Sequence, residues 1–188
     1  MRLFTALLPP PPALEELAAE VSRLRELPGA ERLRWTRPEG RHLTLAFLGE
    51  VDDDLLPELG ERLLRAARRH SAPCLQLAGG GRFGDRALWT GVAGDRKELH
   101  RLAASVSAGA RRTGVVVEER AYRPHLTLAR GGRAAPVDLR PYATVLSGFA
   151  GSTWEAEEVA LVRSHLPVSG TPGEQPRYET VAAWPLGR

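Results

Sequence analysis

A five-residue stretch occurs twice in this chain. His42-Leu43-Thr44-Leu45-Ala46 returns as His125-Leu126-Thr127-Leu128-Ala129, 83 positions later. No other feature restricts the fold as much. Leucine and threonine suit a half-buried strand, and Phe47 and Leu48 extend the first apolar run. Residues two apart on a strand share a face. His42 and Thr44 therefore look one way, with Leu43 and Leu45 looking the other. His125 and Thr127 do the same against Leu126 and Leu128. Each copy is a polar pair over an apolar floor. A single His-x-Thr strand reads most simply as an amphipathic strand with a polar outer face. Two matching copies ask for more, because facing each other they set two imidazoles and two hydroxyls around one small cavity.

That set suits a phosphodiester. One imidazole takes a proton from an attacking water while the other gives a proton to the leaving oxygen. Imidazole titrates near neutrality, so both protonation states are accessible. Threonine hydroxyls donate to non-bridging phosphate oxygens. Such a mechanism needs neither metal nor cofactor. The residues alone do not say which histidine is the donor.

The paired motifs resemble the 2H phosphoesterase superfamily, and within it the bacterial and archaeal RNA 2′,3′-cyclic phosphodiesterases, historically called 2′-5′ RNA ligases. The resemblance covers nearly the whole chain. Met1–Pro9 is similar to the family's first strand, Trp35–Val51 to its first motif block and Tyr122–Arg130 to its second. Leu161–Leu166 and Tyr178–Leu186 are similar to its closing strands. The resemblance implies hydrolysis of RNA 2′,3′-cyclic phosphate ends. The 3′-oxygen leaves and a 2′-phosphomonoester remains. It implies His42 as proton donor and His125 as acceptor, with reversible 2′-5′ joining of RNA ends as a side activity. It also implies a substrate-binding arginine at Arg130. Strict alternation puts that side chain out of phase with His125 and Thr127, although Gly131-Gly132 offers a place for the strand to end. Arg123 is in phase and is a second candidate for the phosphate. The substrate-binding set is thus Thr44, Thr127, Arg130 and Arg123.

Composition adds bounds. A chain of 188 residues is the size of one domain or two tightly joined lobes. No apolar run approaches 18 residues, and the run Leu3–Leu8 is cut off by Pro9–Pro12, so neither a membrane span nor a signal segment is expected. The single cysteine, Cys74, excludes an internal disulfide and fits a reducing compartment, so a cytoplasmic monomer is expected. The net charge of +3 points only weakly to a polyanion. All but one of the 26 basic residues are arginine, the exception being Lys97, and the chain is also rich in Ala, Gly, Pro and Leu. That pattern is a coding bias before it is a binding surface.

In chain order, strands are expected at Arg2–Leu8, Leu33–Trp35 and from the first motif to Val51. Further strands fall at Cys74–Ala78, Ala87–Val92, Val115–Val117, Tyr122–Arg130, Trp154–His165 and Tyr178–Trp184. Helices are expected at Ala13–Leu27, from Asp52-Asp53-Asp54 to His70, from Asp95 to Gly114, and at Val137–Leu146. Asp95 with Glu98 forms a capping pair, and Gly79-Gly80-Gly81 a turn. The aspartate triplet reads as helix capping rather than a metal site. The order implies an α+β fold: one bilobed domain over 1–188, with two mostly antiparallel sheets and flanking helices. A pseudo-twofold relates motif one (42–45) to motif two (125–128), and the active-site cleft lies between the lobes.

His70, His100 and His165 are singletons without motif context. Trp35, Phe83 and Tyr122 are candidates to stack on a base, although packing explains each alone. The partner implied is RNA, or a nucleotide, with a 2′,3′-cyclic phosphate end. Competing readings are a 2H phosphoesterase acting on another cyclic phosphate or a 2′-5′ oligonucleotide, and a non-catalytic RNA-binding module. A metallohydrolase is disfavoured, since no His-x-x-x-His or similar ligand spacing occurs.

Overall fold

The computed structural model describes residues 1–187. Strand β1 (Arg2–Leu7) ends at the proline run, and helix α1 (Pro11–Leu24) begins inside it. Prolines are tolerated there because the first helical turn has no intrahelical use for their missing N–H groups. The helix therefore starts two residues before Ala13. A two-residue strand, β2 (Arg34–Trp35), precedes the first motif strand, β3 (Leu43–Glu50). Helix α2 (Leu56–Arg68) follows a single 3-10 turn at Asp53–Leu55, and Asp52 makes no side-chain cap.

The hairpin β4 (Cys74–Phe83) and β5 (Ala87–Gly94) contains the glycine triplet within its first strand. Gly79 bulges out at φ +62°, and a Cβ at Gly81 would lie 2.6 Å from the Trp89 indole. The glycines are a bed for that indole and not a turn. Helix α3 (Arg96–Arg111) comes next. Asp95 does not cap it. Its carboxylate instead accepts from the Cys74 N–H at 2.8 Å. Glu98 turns to His70, whose ring bridges to Ser105 at 2.7 Å on each side and clasps α2 to α3.

The second motif strand is β6 (His125–Arg130), followed by α4 (Arg140–Leu146). The expected strand Trp154–His165 is two: β7 (Ala150–Glu155) and β8 (Glu158–His165), before the last strand, β9 (Arg177–Pro185). The chain changes sheets at the break, since β7 pairs with β4 and β8 with β1. Val115–Val117 forms no strand. Val115 and Val117 are buried and Val116 is 88% exposed, so the alternation is real, but no strand lies alongside to complete a ladder.

Two antiparallel sheets result, with strand orders β3-β1-β8-β9 and β2-β6-β5-β4-β7. In each half a strand, a helix and a motif strand follow in order: β1-α1-β3 and β5-α3-β6. The connecting helices are exchanged. Helix α1 packs on β7 and α4 of the second sheet, while α3 packs on β3 and on α2. One apolar cluster runs through both halves, from Leu3 and Leu43 to Leu126 and Leu128. The two sheets approach each other at β3 and β6, and the cleft lies there.

Candidate active site

On the first sheet, antiparallel partners share a face, which fixes what surrounds the first motif. Ala6 pairs with Thr44 and Phe4 with Phe47, and the register slips at Leu45 and again at Leu48. Each slip is a bulge, so the alternation resets. Thr44 faces the cleft, Ala46 faces the core, and Phe47 faces the cleft again. Phe47 is 61% exposed. His42 lies just before β3, its ring 4.5 Å from Phe4 and 5.1 Å from Tyr178. Burial among these rings pushes the imidazole down to about 4, because a charge there loses its hydration.

The second motif repeats the device. Gly91 pairs with His125 and Trp89 with Thr127, the register slips at Leu128, and Ala129 and Arg130 then pair with Leu88 and Ala87. Ala129 and Leu88 are buried in the core. Arg130 is thereby returned to the face of His125 and Thr127. The strict alternation that turned it away assumed a strand without a bulge. Arg34 pairs with Arg130 from the other side and shares its face. Burial raises the Tyr178 phenol, while the charges of Arg130 and Arg2 act on it in the opposite sense.

His125 is half-buried, with Phe83 at 5.0 Å and Trp89 at 5.9 Å. Its Nδ1 lies 2.6 Å from the Arg123 carbonyl oxygen. A carbonyl only accepts, so Nδ1 carries the hydrogen and the neutral ring leaves Nε2 free to accept a proton. Tyr122 bridges the lobes, its hydroxyl donating to the Thr44 carbonyl at 3.0 Å. Cα atoms of β3 and β6 approach within 8 Å, and Thr44 and His125 line one cavity of about 750 Å³ together with Arg123.

The hydroxyls of Thr90 and Thr113 donate to carbonyl oxygens, whereas no described residue engages those of Thr44 and Thr127. Both are thus available to a phosphate. Thr44→Val and Thr127→Val, which keep the side-chain shape, are each expected to lower kcat/KM about tenfold, the lower end for a hydrogen bond to a charged group. Steady-state kinetics beside a thermal melt separates loss of the contact from loss of the fold.

One stacking candidate lies elsewhere. Trp35 is a core residue, 9% exposed, with its indole N–H donating to Ala30 O at 2.9 Å and the Arg25 guanidinium over its ring. It does not face the cleft. His165 pairs with Glu179 at 2.8 Å, whereas His100 packs edge-on against Tyr122 at 5.4 Å and lines the cavity shared by Thr44 and His125. Phe4, Trp89 and Tyr178 border the histidines, Phe47 lines the cavity, and none of the four stands out in the sequence. Alternation from the repeated motif had no means of locating partners on other strands.

A model of the 2′-5′ RNA ligase superfamily matches residues 10–167. An RNA 2′,3′-cyclic phosphodiesterase of Geobacillus stearothermophilus is 32% identical over 157 residues, covering 81% of this chain and 47% of that protein. The chain spans about half the length of that relative. The RNA 2′,3′-cyclic phosphodiesterase of Aeropyrum pernix is also 32% identical over 157 residues, covering 80% of this chain and 87% of that one. Among solved structures, Escherichia coli LigT complexed with 3′-AMP matches with a TM-score of 0.74 at 25% identity, covering 100% of this chain and 98% of that one. By the match along most of its length, by the likeness to these relatives and by its doubled His-x-Thr strands, this chain belongs to the 2′-5′ RNA ligase superfamily.

Proposed function

We propose that this protein hydrolyses RNA 2′,3′-cyclic phosphate ends to 2′-phosphomonoesters without a metal ion. One observation carries the reading: the two His-x-Thr strands, one in each sheet, approach each other, and Thr44 of the first and His125 of the second line the same cavity. The names of the relatives support the substrate class.

Water attacks phosphorus, and His125 Nε2, left free by the Nδ1–H bond to Arg123 O, takes its proton. The bond from phosphorus to the 3′-oxygen breaks, and that oxygen takes a proton from His42. The 2′-oxygen keeps the phosphate. Thr44, Thr127 and Arg130 hold the non-bridging oxygens, where negative charge grows in the transition state. Burial makes protonated His42 a strong acid, and the anionic phosphate supplies the charge that favours its protonation. A 5′-hydroxyl in the place of water gives a 2′-5′ linkage by the same steps, which is the joining reaction.

Among the described residues, no three His, Cys, Asp or Glu side chains gather as a metal-binding group. The test is a nucleoside 2′,3′-cyclic phosphate incubated with the protein in excess chelator. The expected result is undiminished turnover with the 2′-phosphate as product. Activity that disappears with EDTA and returns with a divalent ion overturns the metal-free mechanism.

A further inference from the structure

Beyond the histidine pair the cleft is closed on one side and open on the other. On the His42 side, Tyr178 and Phe4 pack on the imidazole, and Gly40 abuts Tyr178 so closely that a Cβ would sit 3.1 Å from its ring. Next to it the loop before β9 ties the lobes together. Gln175 donates to Trp35 O at 2.7 Å and accepts from the Arg37 N–H at 3.2 Å. On the His125 side, the cavity that begins at Thr44 runs out between β3 and α3. Its floor is Ala103, Ala104 and Val117, and Phe47 and Phe83 stand as its walls.

The rim of this groove is basic. Arg111, Arg120 and Arg123 line it, and the one acidic side chain there, Glu118, is paired with Arg120 at 2.8 Å. That leaves Arg111 and Arg123 as cations without a carboxylate partner among the described residues. Apolar and aromatic walls with free cations at the edge suit bases and phosphates together, since a base stacks on an aromatic face while its phosphate meets a guanidinium. A cavity of about 750 Å³ exceeds what a single cyclic phosphate group fills and lies in the range of ligand-sized sites.

We propose that the groove between β3 and α3 is a subsite for the RNA nucleotide on the 5′ side of the cyclic phosphate end, so that an oligonucleotide end is preferred over a free nucleoside cyclic phosphate. The inference rests on the phosphodiesterase reading above and adds the direction in which the RNA chain leaves the cleft. The cyclic phosphate lies between the histidines, the base of the preceding nucleotide stacks against Phe47 and Phe83, and that nucleotide's 5′-phosphate reaches Arg111 on the last turn of α3. Continuity with the catalytic cavity and the unpaired cations single out RNA as the occupant.

The experiment compares kcat/KM on a nucleoside 2′,3′-cyclic phosphate and on a trinucleotide ending in the same group, in excess chelator. The trinucleotide is expected to be favoured by roughly tenfold or more, the worth of one stacked base. That preference is expected to shrink with added salt as phosphate contacts are screened. Arg111→Ala removes a groove cation, and Ala104→Trp fills the floor. Both positions are exposed on α3. Each variant is expected to lose most of the trinucleotide preference through KM and to leave the mononucleotide rate unchanged. Equal kcat/KM on the two substrates in the parent, or variants that keep the preference or slow both substrates alike, overturns the subsite while leaving the phosphodiesterase reading in place. No turnover of either substrate overturns that reading and the subsite with it.

Discussion

His42→Ala and His125→Ala are each expected to lower kcat/KM by at least about 10²–10⁴-fold, the usual worth of one general acid or base. The double variant should lose less than the product of the two, because the imidazoles act on one transition state as a unit. A substrate with an activated leaving group needs no proton from the enzyme. It should largely restore the variant that lacks the donor, His42, and not the one that lacks the base. Restoration of His125→Ala instead reverses the roles, and full activity in either variant removes the two-histidine mechanism.

The pH profile carries a second signature of the same pair. The folded protein holds His42 at about 4, below the ordinary imidazole value of 6.5, because its charged form is desolvated. Catalysis needs one of the two rings neutral, and that condition is lost once both are charged. The acid limb of kcat/KM, which reports the free enzyme, should therefore lie near pH 4. An acid limb in the ordinary imidazole range shows that His42 is not desolvated in solution. The same burial makes the folded state resist a proton that the unfolded chain accepts. Stability present above pH 6.5 is thus lost as pH falls toward 4.

Arg130→Ala is expected to lower kcat/KM about a hundredfold, the upper end for a hydrogen bond to a charged group. The bulge at Leu128 sets Arg130 on the face of His125 and Thr127. Arg130→Lys should recover only part of the loss, since an ammonium keeps the charge but not the planar fork that meets two phosphate oxygens. The side chain is exposed, so neither change should alter the melting temperature much. Parent-like turnover in Arg130→Ala contradicts this placement and leaves Arg123 as the phosphate ligand.

The repeated pentapeptide was enough to identify β3 and β6, to put His42, Thr44, His125 and Thr127 on polar faces, and to lead to two antiparallel sheets. Those features are local. A period of two and the choice of leucine or threonine are written in consecutive residues, and the duplication shows which of them recur. Arg130 and Phe47 were not legible in the same way. Each stands three residues after its motif threonine, and its face depends on a bulge that exists only relative to the partner strand, β5 or β1. Other features depended on tertiary contacts in the same way. The glycine triplet gives way to the Trp89 indole from the neighbouring strand, and Trp35 goes to the core although its neighbour Arg34 faces the cleft. Asp95 answers an unpaired N–H on β4 instead of the helix it precedes. The low affinity of His42 for a proton comes from Phe4 and Tyr178, which lie 38 residues before it and 136 residues after it. Local pattern determines which residues become strands and which of their faces are polar. Pairing register, bulges and desolvation are relations between distant segments, so only the assembled tertiary structure decides them.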